Sequence, residues 1–184
     1  MTSKAKRPWE SVTLAEGIKD FLLKDAREFF ANEDWFRNRG LPFRRGILLY
    51  GIPGTGKTST VHAIASELEL PVYILLLSLK DMDDSKLADM MSGLPKRCIL
   101  LLEDIDCAFK SRTAEKKDDN NTSTITLSGL LNSIDGLFAP EGRLLFATTN
   151  HIEHLDPALI RPVSKFHLKL FKQSLMCSCL IGSY

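Results

Sequence analysis

Residues 46–68 read GILLYGIPGTGKTSTVHAIASEL, which is a short apolar run, a glycine-rich turn and a helical pattern in immediate succession. The apolar run, Ile47–Tyr50, is continuous rather than alternating, as is typical of a strand buried on both faces. After the turn, apolar residues recur at helical spacing, at Val61, Ile64, Ala65 and Leu68. The stretch therefore predicts a strand, a tight turn and a helix, the repeating unit of an α/β domain.

The turn matches the pattern G-x-x-x-x-G-K-[ST] in full, with the residues Gly51-Ile52-Pro53-Gly54-Thr55-Gly56-Lys57-Thr58. In this pattern, backbone N–H groups surround phosphate oxygens, and the positive end of the helix dipole points at them. We expect Lys57 to reach the β and γ phosphates of a nucleotide and the Thr58 hydroxyl to be a ligand of Mg²⁺. A glycine-rich turn without a ligand is the alternative, but the strand before it and the helix after it favour phosphate binding.

Other apolar segments extend the α/β pattern along the chain. Three further continuous runs predict buried strands, at Val72–Leu77, Cys98–Leu102 and Leu144–Ala147. Helical spacing occurs at Lys86–Met91 and Leu127–Ile134, and it predicts an amphipathic helix from Gly17 to about Asn32 with Asp25 on the polar face. Strands that alternate with helices predict a doubly wound, mostly parallel sheet with right-handed crossovers.

Polar side chains follow two of the predicted strands. Glu103 and Asp104 come directly after Leu102, and Asn150 follows the strand Leu144–Ala147 and two threonines. Because ligands of doubly wound sheets gather at the carboxyl ends of the strands, we expect these side chains beside the phosphate site. One acid is expected to hold Mg²⁺ and the other to orient an attacking water, while the Asn150 amide can donate to a phosphate or to that water. For Asp106, a helix-capping or solvated acid is the plausible interpretation, and Asn150 taken alone is usually a turn former.

Length and composition agree with one globular domain. The chain has 184 residues, of which 44% are hydrophobic and 26% charged, and its formal net charge is +1. The balanced charge gives no reason to expect a nucleic acid partner. No apolar run approaches the roughly 20 residues that a membrane-spanning helix needs, so we expect no membrane insertion by these residues. Cys177 and Cys179 have no second ligand pair, and incidental thiols are the expected interpretation.

The ordered motifs resemble those of the AAA ATPase family. They are Gly51–Thr58, Leu102–Asp106, Leu130–Gly136, Ala147–Asn150 and Leu155–Pro162. The resemblance implies a P-loop NTPase fold of the AAA large-subdomain type, with ATP and Mg²⁺ as ligands and hydrolysis of the β–γ phosphoanhydride. It also implies a homo-oligomeric ring in which Arg161 faces the γ-phosphate on the next subunit. The family usually has a second arginine after this position, and the present sequence has Val163-Ser164-Lys165 there.

Within the family, the sequence resembles the mitochondrial cytochrome bc complex assembly chaperones, the bcs-one subfamily. The resemblance rests on stretches such as Arg39–Gly46, Leu101–Asp106 and Glu141–Arg143. It implies location at the mitochondrial inner membrane and a folded client, the Rieske iron–sulfur subunit. The subfamily shares the order Glu103-Asp104, where most AAA proteins have Asp-Glu. By position, Glu103 then takes the Mg²⁺ role and Asp104, which is one methylene shorter than Glu, the water-activating role.

Threading AAA unfoldases resemble one another in an aromatic residue that faces the central pore. The corresponding segment here, Ser78–Asp84, contains no aromatic residue. We therefore expect no grip on an unfolded polypeptide, in agreement with a folded client. An ordinary polar loop remains the alternative interpretation of the segment.

Composition and the family motifs divide the chain into three parts. Residues 1–45 are an N-terminal arm and amphipathic helix, residues 46–162 are the AAA core with a polar insertion at 110–124, and residues 163–184 are a tail unlike the family. Because the tail does not resemble the family, we expect that the helical lid of the family is missing. The tail is either a basic, unstructured segment or contributes a last strand at Lys165–Phe171. Because the bases GTAAGT, a common splice-donor sequence, would encode Val163-Ser164, a translated intron is our hypothesis for the tail.

The sequence leaves two alternatives to an ATPase. The first is a nucleotide-binding domain without turnover, which would retain the phosphate loop but lack the lid and one arginine. The second is a GTPase or a nucleotide kinase, which is disfavoured because the chain has no guanine-reading Asn-Lys-x-Asp sequence and no evident lid for an acceptor substrate.

Overall fold

The computed structural model describes residues 8–12, 14, 17–77, 82–109, 125–136, 139–160 and 168–172. Five strands run through these residues, β1 to β5 in chain order: Arg44–Tyr50, Val72–Leu76, Cys98–Glu103, Arg143–Thr149 and Leu168–Lys172. Seven helices, α1 to α7, accompany them: Ile18–Ala31, Glu33–Asn38, Lys57–Leu68, Asp84–Ser92, Ile105–Phe109, Leu127–Asp135 and Pro157–Ile160. Two short 3₁₀ helices, η1 and η2, span Trp9–Ser11 and Ile152–His154.

The strands form one parallel sheet in the order β2-β3-β4-β1-β5. This arrangement confirms the predicted α/β fold with a parallel sheet. The order inserts β4 between β1 and β3, although β4 is the last of the three in the chain. As a consequence, the ends of β1, β3 and β4, which carry the predicted site residues, are neighbours at one edge of the sheet.

Each central strand is buried on both faces, which explains the continuous apolar runs. In β1, Ile47 and Leu49 join the core on the side of α1 and α3, whereas Leu48 joins the core on the side of α4 and α6. In β3, Ile99 and Leu101 face the first core, and Leu100 and Leu102 face the second. The alternation has the period of two that a strand imposes on its side chains.

Buried arginines extend β1 and β4 beyond the apolar runs that predicted them. Arg44 and Arg143 are paired in register at the start of the two strands. Arg44 donates hydrogen bonds to the carbonyls of Gly136, at 3.1 Å, and Ala139. Arg143 donates to the carbonyl of Pro95, at 3.1 Å, and to those of Met91 and Leu94. The guanidinium groups thereby anchor the chain after α4 and α6 at the edge of the sheet opposite the site.

The structure changes one interpretation of α1. The predicted helix forms at Ile18–Ala31, but Asp25 is buried instead of lying on a solvated polar face. Its Oδ1 atom lies 2.8 Å from Nη1 of Arg45, the second residue of β1. A carboxylate of this kind is stable inside a protein because an arginine pairs with it. The ion pair attaches α1 to the sheet.

Several predicted segments lie outside the described residues, among them the arm 1–7, the segment 78–81 and the polar insertion 110–124. For the tail, one of the two alternatives is observed in part, since β5 at Leu168–Lys172 pairs in parallel with β1. Among the described residues, no helix is long and apolar enough to cross a membrane.

We predict that Gly136→Ala destabilises the fold by about 1–3 kcal/mol, the usual cost of overpacking. A β-carbon at Gly136 would lie 2.2 Å from the carbonyl oxygen of Asn132, so the end of α6 would have to move. Urea unfolding measures the change. Gly93→Ala is the matched control at the end of α4, where the nearest atom to a new β-carbon is 3.5 Å away. Equal stability of the two variants would contradict the prediction.

Candidate active site

The glycine-rich turn connects β1 to α3 at the carboxyl edge of the sheet. Gly51, Gly54 and Gly56 have φ angles of 144°, 81° and 87°, a region that residues with a β-carbon rarely adopt. α3 begins at Lys57, directly after the turn. The sequence therefore places glycine at the positions where the turn needs it, and the positive end of the helix dipole faces the turn.

Lys57 occupies the centre of the site. Its side chain is buried, and Nζ donates hydrogen bonds to the carbonyls of Gly51, at 2.8 Å, and Ile52, at 3.1 Å. A third bond, of 2.8 Å, joins Nζ to Oδ1 of Asn150 at the end of β4. Burial lowers the pKa of Lys57, and the negative charges of Asp104 and Asp106 oppose that shift. The ammonium group thus connects the phosphate loop to the neighbouring strand.

Thr58 and Glu103 form a second contact between α3 and the sheet. The Thr58 hydroxyl donates a hydrogen bond of 2.6 Å to Oε1 of Glu103. Both side chains offer oxygen atoms, the donor type that Mg²⁺ prefers. The two residues predicted as Mg²⁺ ligands are therefore adjacent, and their donor set fits the ion.

Asp104 and Asn150 are also brought together. Nδ2 of Asn150 donates a hydrogen bond of 3.1 Å to Oδ1 of Asp104, and the backbone N–H of Asp104 donates to the Thr148 hydroxyl at 3.1 Å. The Asp104 carboxylate is exposed to solvent, and its φ of 48° is left-handed, a conformation that Asp tolerates better than most residues. The Asn150 amide therefore accepts from Lys57 with its oxygen and donates to Asp104 with its nitrogen.

The structure corrects the interpretation of Asp106 as a helix cap or a solvated acid. This carboxylate is only 1% exposed, and its Oδ1 accepts a 2.9 Å hydrogen bond from the Thr149 hydroxyl. The backbone N–H of Asn150 approaches the same oxygen at 3.4 Å. Asp106 thus holds the end of β4 in place and positions Asn150. The polar pair Thr148-Thr149 at the end of an apolar strand was the signal in the sequence for such a partner.

Arg161, the predicted arginine facing a neighbouring subunit, lies outside the described residues. The other predicted site residues lie together at one edge of the sheet, at the turn after β1, the start of α3 and the ends of β3 and β4. A cationic loop next to three carboxylates is an arrangement that can bind a polyphosphate and orient a water molecule beside it.

We predict that Asp106→Ala lowers the free energy of unfolding by about 1–3 kcal/mol, because the buried Thr149 hydroxyl loses its acceptor. Urea unfolding of the purified chain measures the loss. Asp106→Asn keeps an acceptor oxygen at the same place and should lose less. A wild-type stability for Asp106→Ala, or equal losses in both variants, would contradict the assigned role.

Comparisons with known proteins agree with this geometry. A probable mitochondrial chaperone BCS1-A of Dictyostelium discoideum is 50% identical over 160 residues, which cover 84% of this chain and 38% of the relative. The human mitochondrial chaperone BCS1 is 43% identical over 162 residues, covering 86% of this chain and 39% of the relative. A probable mitochondrial chaperone bcs1 of Schizosaccharomyces pombe is 42% identical over 159 residues, covering 86% and 35%. The chain thus spans well under half the length of these curated relatives.

The predicted resemblance is confirmed at the level of the family. Residues 47–174 match the ATPase family associated with various cellular activities (AAA). The matched segment contains the glycine-rich turn, the three carboxylates and strands β2 to β5. It also contains β1 except for its first three residues. From its parallel sheet, its phosphate loop and this match, the chain belongs to the AAA family of ATPases.

Proposed function

We propose that this chain binds ATP and hydrolyses its β–γ phosphoanhydride with the help of Mg²⁺. The observation that carries the proposal is the hydrogen-bonded line from Lys57 through Asn150 to Asp104. It connects the cation expected at the phosphates to the carboxylate expected at the attacking water. Membership of the AAA family supports ATP as the nucleotide.

Phosphate binding uses the loop backbone and Lys57. The N–H groups of the turn and of the first residues of α3 donate to the phosphate oxygens, and the helix dipole adds positive potential there. Lys57 exchanges its acceptors on Gly51, Ile52 and Asn150 for oxygens of the β and γ phosphates. The burial of Lys57 strengthens this contact, because an ion pair gains more energy where water is excluded.

Thr58 and Glu103 would hold Mg²⁺ through their side-chain oxygens. When bound, Mg²⁺ neutralises the charge that develops on the β and γ phosphates. Glu103 lies at the end of β3, and its hydrogen bond to Thr58 keeps the two oxygens next to each other. The inverted order Glu103-Asp104 thus gives the longer side chain to the metal position.

Asp104 and Asn150 would act on the water. The exposed Asp104 carboxylate accepts a hydrogen bond from the water and orients its lone pair toward the γ phosphorus. The water oxygen forms the new bond to the γ phosphorus while the proton that it loses passes to the Asp104 carboxylate. The bond between phosphorus and the ADP oxygen breaks, and the products are ADP and phosphate. Once Lys57 has moved to the phosphates, the Asn150 amide is free to contact the water or the γ-phosphate.

Assembly and cellular role are part of the same proposal. AAA proteins typically form rings, and we propose that Arg161 reaches the γ-phosphate bound by the next copy of the chain. Such an arginine accelerates related reactions by about 10³–10⁵. Because the similar proteins are described as mitochondrial chaperones, we propose a chaperone role in mitochondria. By resemblance to their subfamily, the work is respiratory complex assembly at the inner membrane on a folded client of the Rieske type.

ATP hydrolysis by the purified chain over a wide range of protein concentration tests the proposal. We expect turnover that rises faster than linearly with concentration, since the site is completed by a second copy. Asp104→Asn should retain ATP binding and lose on the order of 10²–10⁴ in turnover, the usual contribution of a positioned base. Lys57→Ala is the blank, and Asp34→Asn, a carboxylate 84% exposed on α2, is the matched control. ATP binding without turnover at any concentration would contradict hydrolysis and leave an ATP-binding module.

We also predict that ATP affinity falls as the pH rises in the alkaline range below the ordinary lysine pKa. Burial lowers the pKa of Lys57, so its ammonium loses a proton earlier than an exposed lysine does. Phosphate binds the ammonium and not the neutral amine, and ATP binding therefore takes up a proton in this range. Titration calorimetry at several pH values measures the change. Lys57→Arg stays charged throughout, and its affinity should depend less on pH; the same slope in both proteins would contradict the prediction.

A further inference from the structure

Two histidines and a glutamate follow Asn150 directly, on and beside η2. We call His151, Glu153 and His154 the His-Glu-His cluster. Each offers one ligand atom, and the three atoms lie within 4.8 Å of one another. The imidazole rings of His151 and His154 are stacked, with centroids 4.8 Å apart. Nδ1 of His151 lies 2.9 Å from Oε1 of Glu153.

We propose that the His-Glu-His cluster binds a divalent transition metal ion of the Zn²⁺ type, and that the bound ion slows ATP hydrolysis through Asn150. Two imidazole nitrogens and one carboxylate oxygen are a donor set that suits Zn²⁺ and similar ions. Mg²⁺ and Ca²⁺ prefer oxygen ligands alone, so this cluster is chemically distinct from the oxygen pair of Thr58 and Glu103.

The geometry of the cluster requires only side-chain movement. Around a tetrahedral Zn²⁺, ligand atoms at about 2.0–2.1 Å from the ion lie about 3.3 Å from one another, so the present spacing must shorten somewhat. The rings are nearly parallel, at 21°, and at least one must turn to aim its nitrogen at a common ion. The side chains of His151 and Glu153 are 46% and 62% exposed, which leaves room for the turn and for water on the remaining positions.

The sequence around the cluster suits a cation. Residues 151–160 include neither Lys nor Arg, so no neighbour in this stretch of sequence repels a metal ion.

A short path connects the cluster to the proposed catalytic residues. The backbone N–H of His151 donates to the Thr149 hydroxyl at 3.0 Å, and that hydroxyl donates to the buried Asp106 carboxylate. Asn150 lies between Thr149 and His151 in the chain. A metal that joins His151 to His154 would fix the backbone on the far side of Asn150 as well. Because the amide must change partners when Lys57 moves to the phosphates, this restraint lowers kcat more than it changes KM. The effect of the metal on kcat rests on the proposed function, whereas metal binding does not.

Calorimetric titration of ZnCl₂ into the 184-residue chain without nucleotide tests the binding. Cys107, Cys177 and Cys179 are changed to serine throughout, because thiols would bind Zn²⁺ themselves. We expect one Zn²⁺ per chain. His151→Gln and His154→Gln should each weaken it by about tenfold or more, since even the loss of a group that only hydrogen-bonds to a ligand costs about 10–100-fold. His62→Gln, on α3, is the matched control and should bind like the parent. No binding, or equal affinity in all the variants, would overturn the proposal.

ATPase assays of the same proteins with Mg-ATP separate the two parts. We expect Zn²⁺ at its binding concentration to lower kcat of the parent severalfold, with little change in KM, and to leave His154→Gln active. Equal inhibition of parent and His154→Gln, or inhibition of neither when the parent binds Zn²⁺, would overturn the coupling. If the metal-free parent hydrolyses no ATP, the proposed function fails while the titration still decides whether the cluster binds metal.

Discussion

A buried ammonium group organises the candidate site. Desolvation of Lys57 is unfavourable, and the fold compensates it with two carbonyls of the phosphate loop and with the Asn150 amide, while Asp104 and Asp106 supply negative charge nearby. These groups lie at the ends of strands or in the turn after β1, except Asp106, which lies in α5 after β3. The ammonium can be buried only if β1, β3 and β4 end at the same edge of the sheet, so the geometry of the site depends on the strand order.

The three carboxylates at this edge differ in environment, and the differences match different tasks. Glu103 is partly buried against Thr58, Asp104 is exposed, and Asp106 is enclosed beneath β4. An exposed carboxylate can meet water, whereas an enclosed one can only orient its neighbours. Positioning of Asn150 by Asp106 is therefore as much a part of the candidate site as the residues that we propose to face the nucleotide.

Strands β1 and β4 are held at both ends, but different groups make the contacts at each end. Arg44 and Arg143 begin β1 and β4 and bind carbonyls at the ends of the helical layer, whereas the phosphate loop and Asn150 follow at the carboxyl ends. Between them lies an apolar segment buried on both faces. This packed middle deforms little, so the distance between the two ends is well defined.

The sequence by itself determined the strand, the turn and the helix around Gly51–Thr58, because the apolar period, the glycines and the lysine act within one short stretch. It also determined which acids end β3, since a buried strand has few polar residues. Only the tertiary structure decided that Asp106 is buried and that Asp25 pairs with Arg45, because both depend on which element packs above the side chain. The same holds for the hydrogen bond between Lys57 and Asn150, which are 93 positions apart, since the insertion of β4 between β1 and β3 brings them together. Local patterns specify elements, whereas contacts between distant residues depend on how the whole sheet assembles.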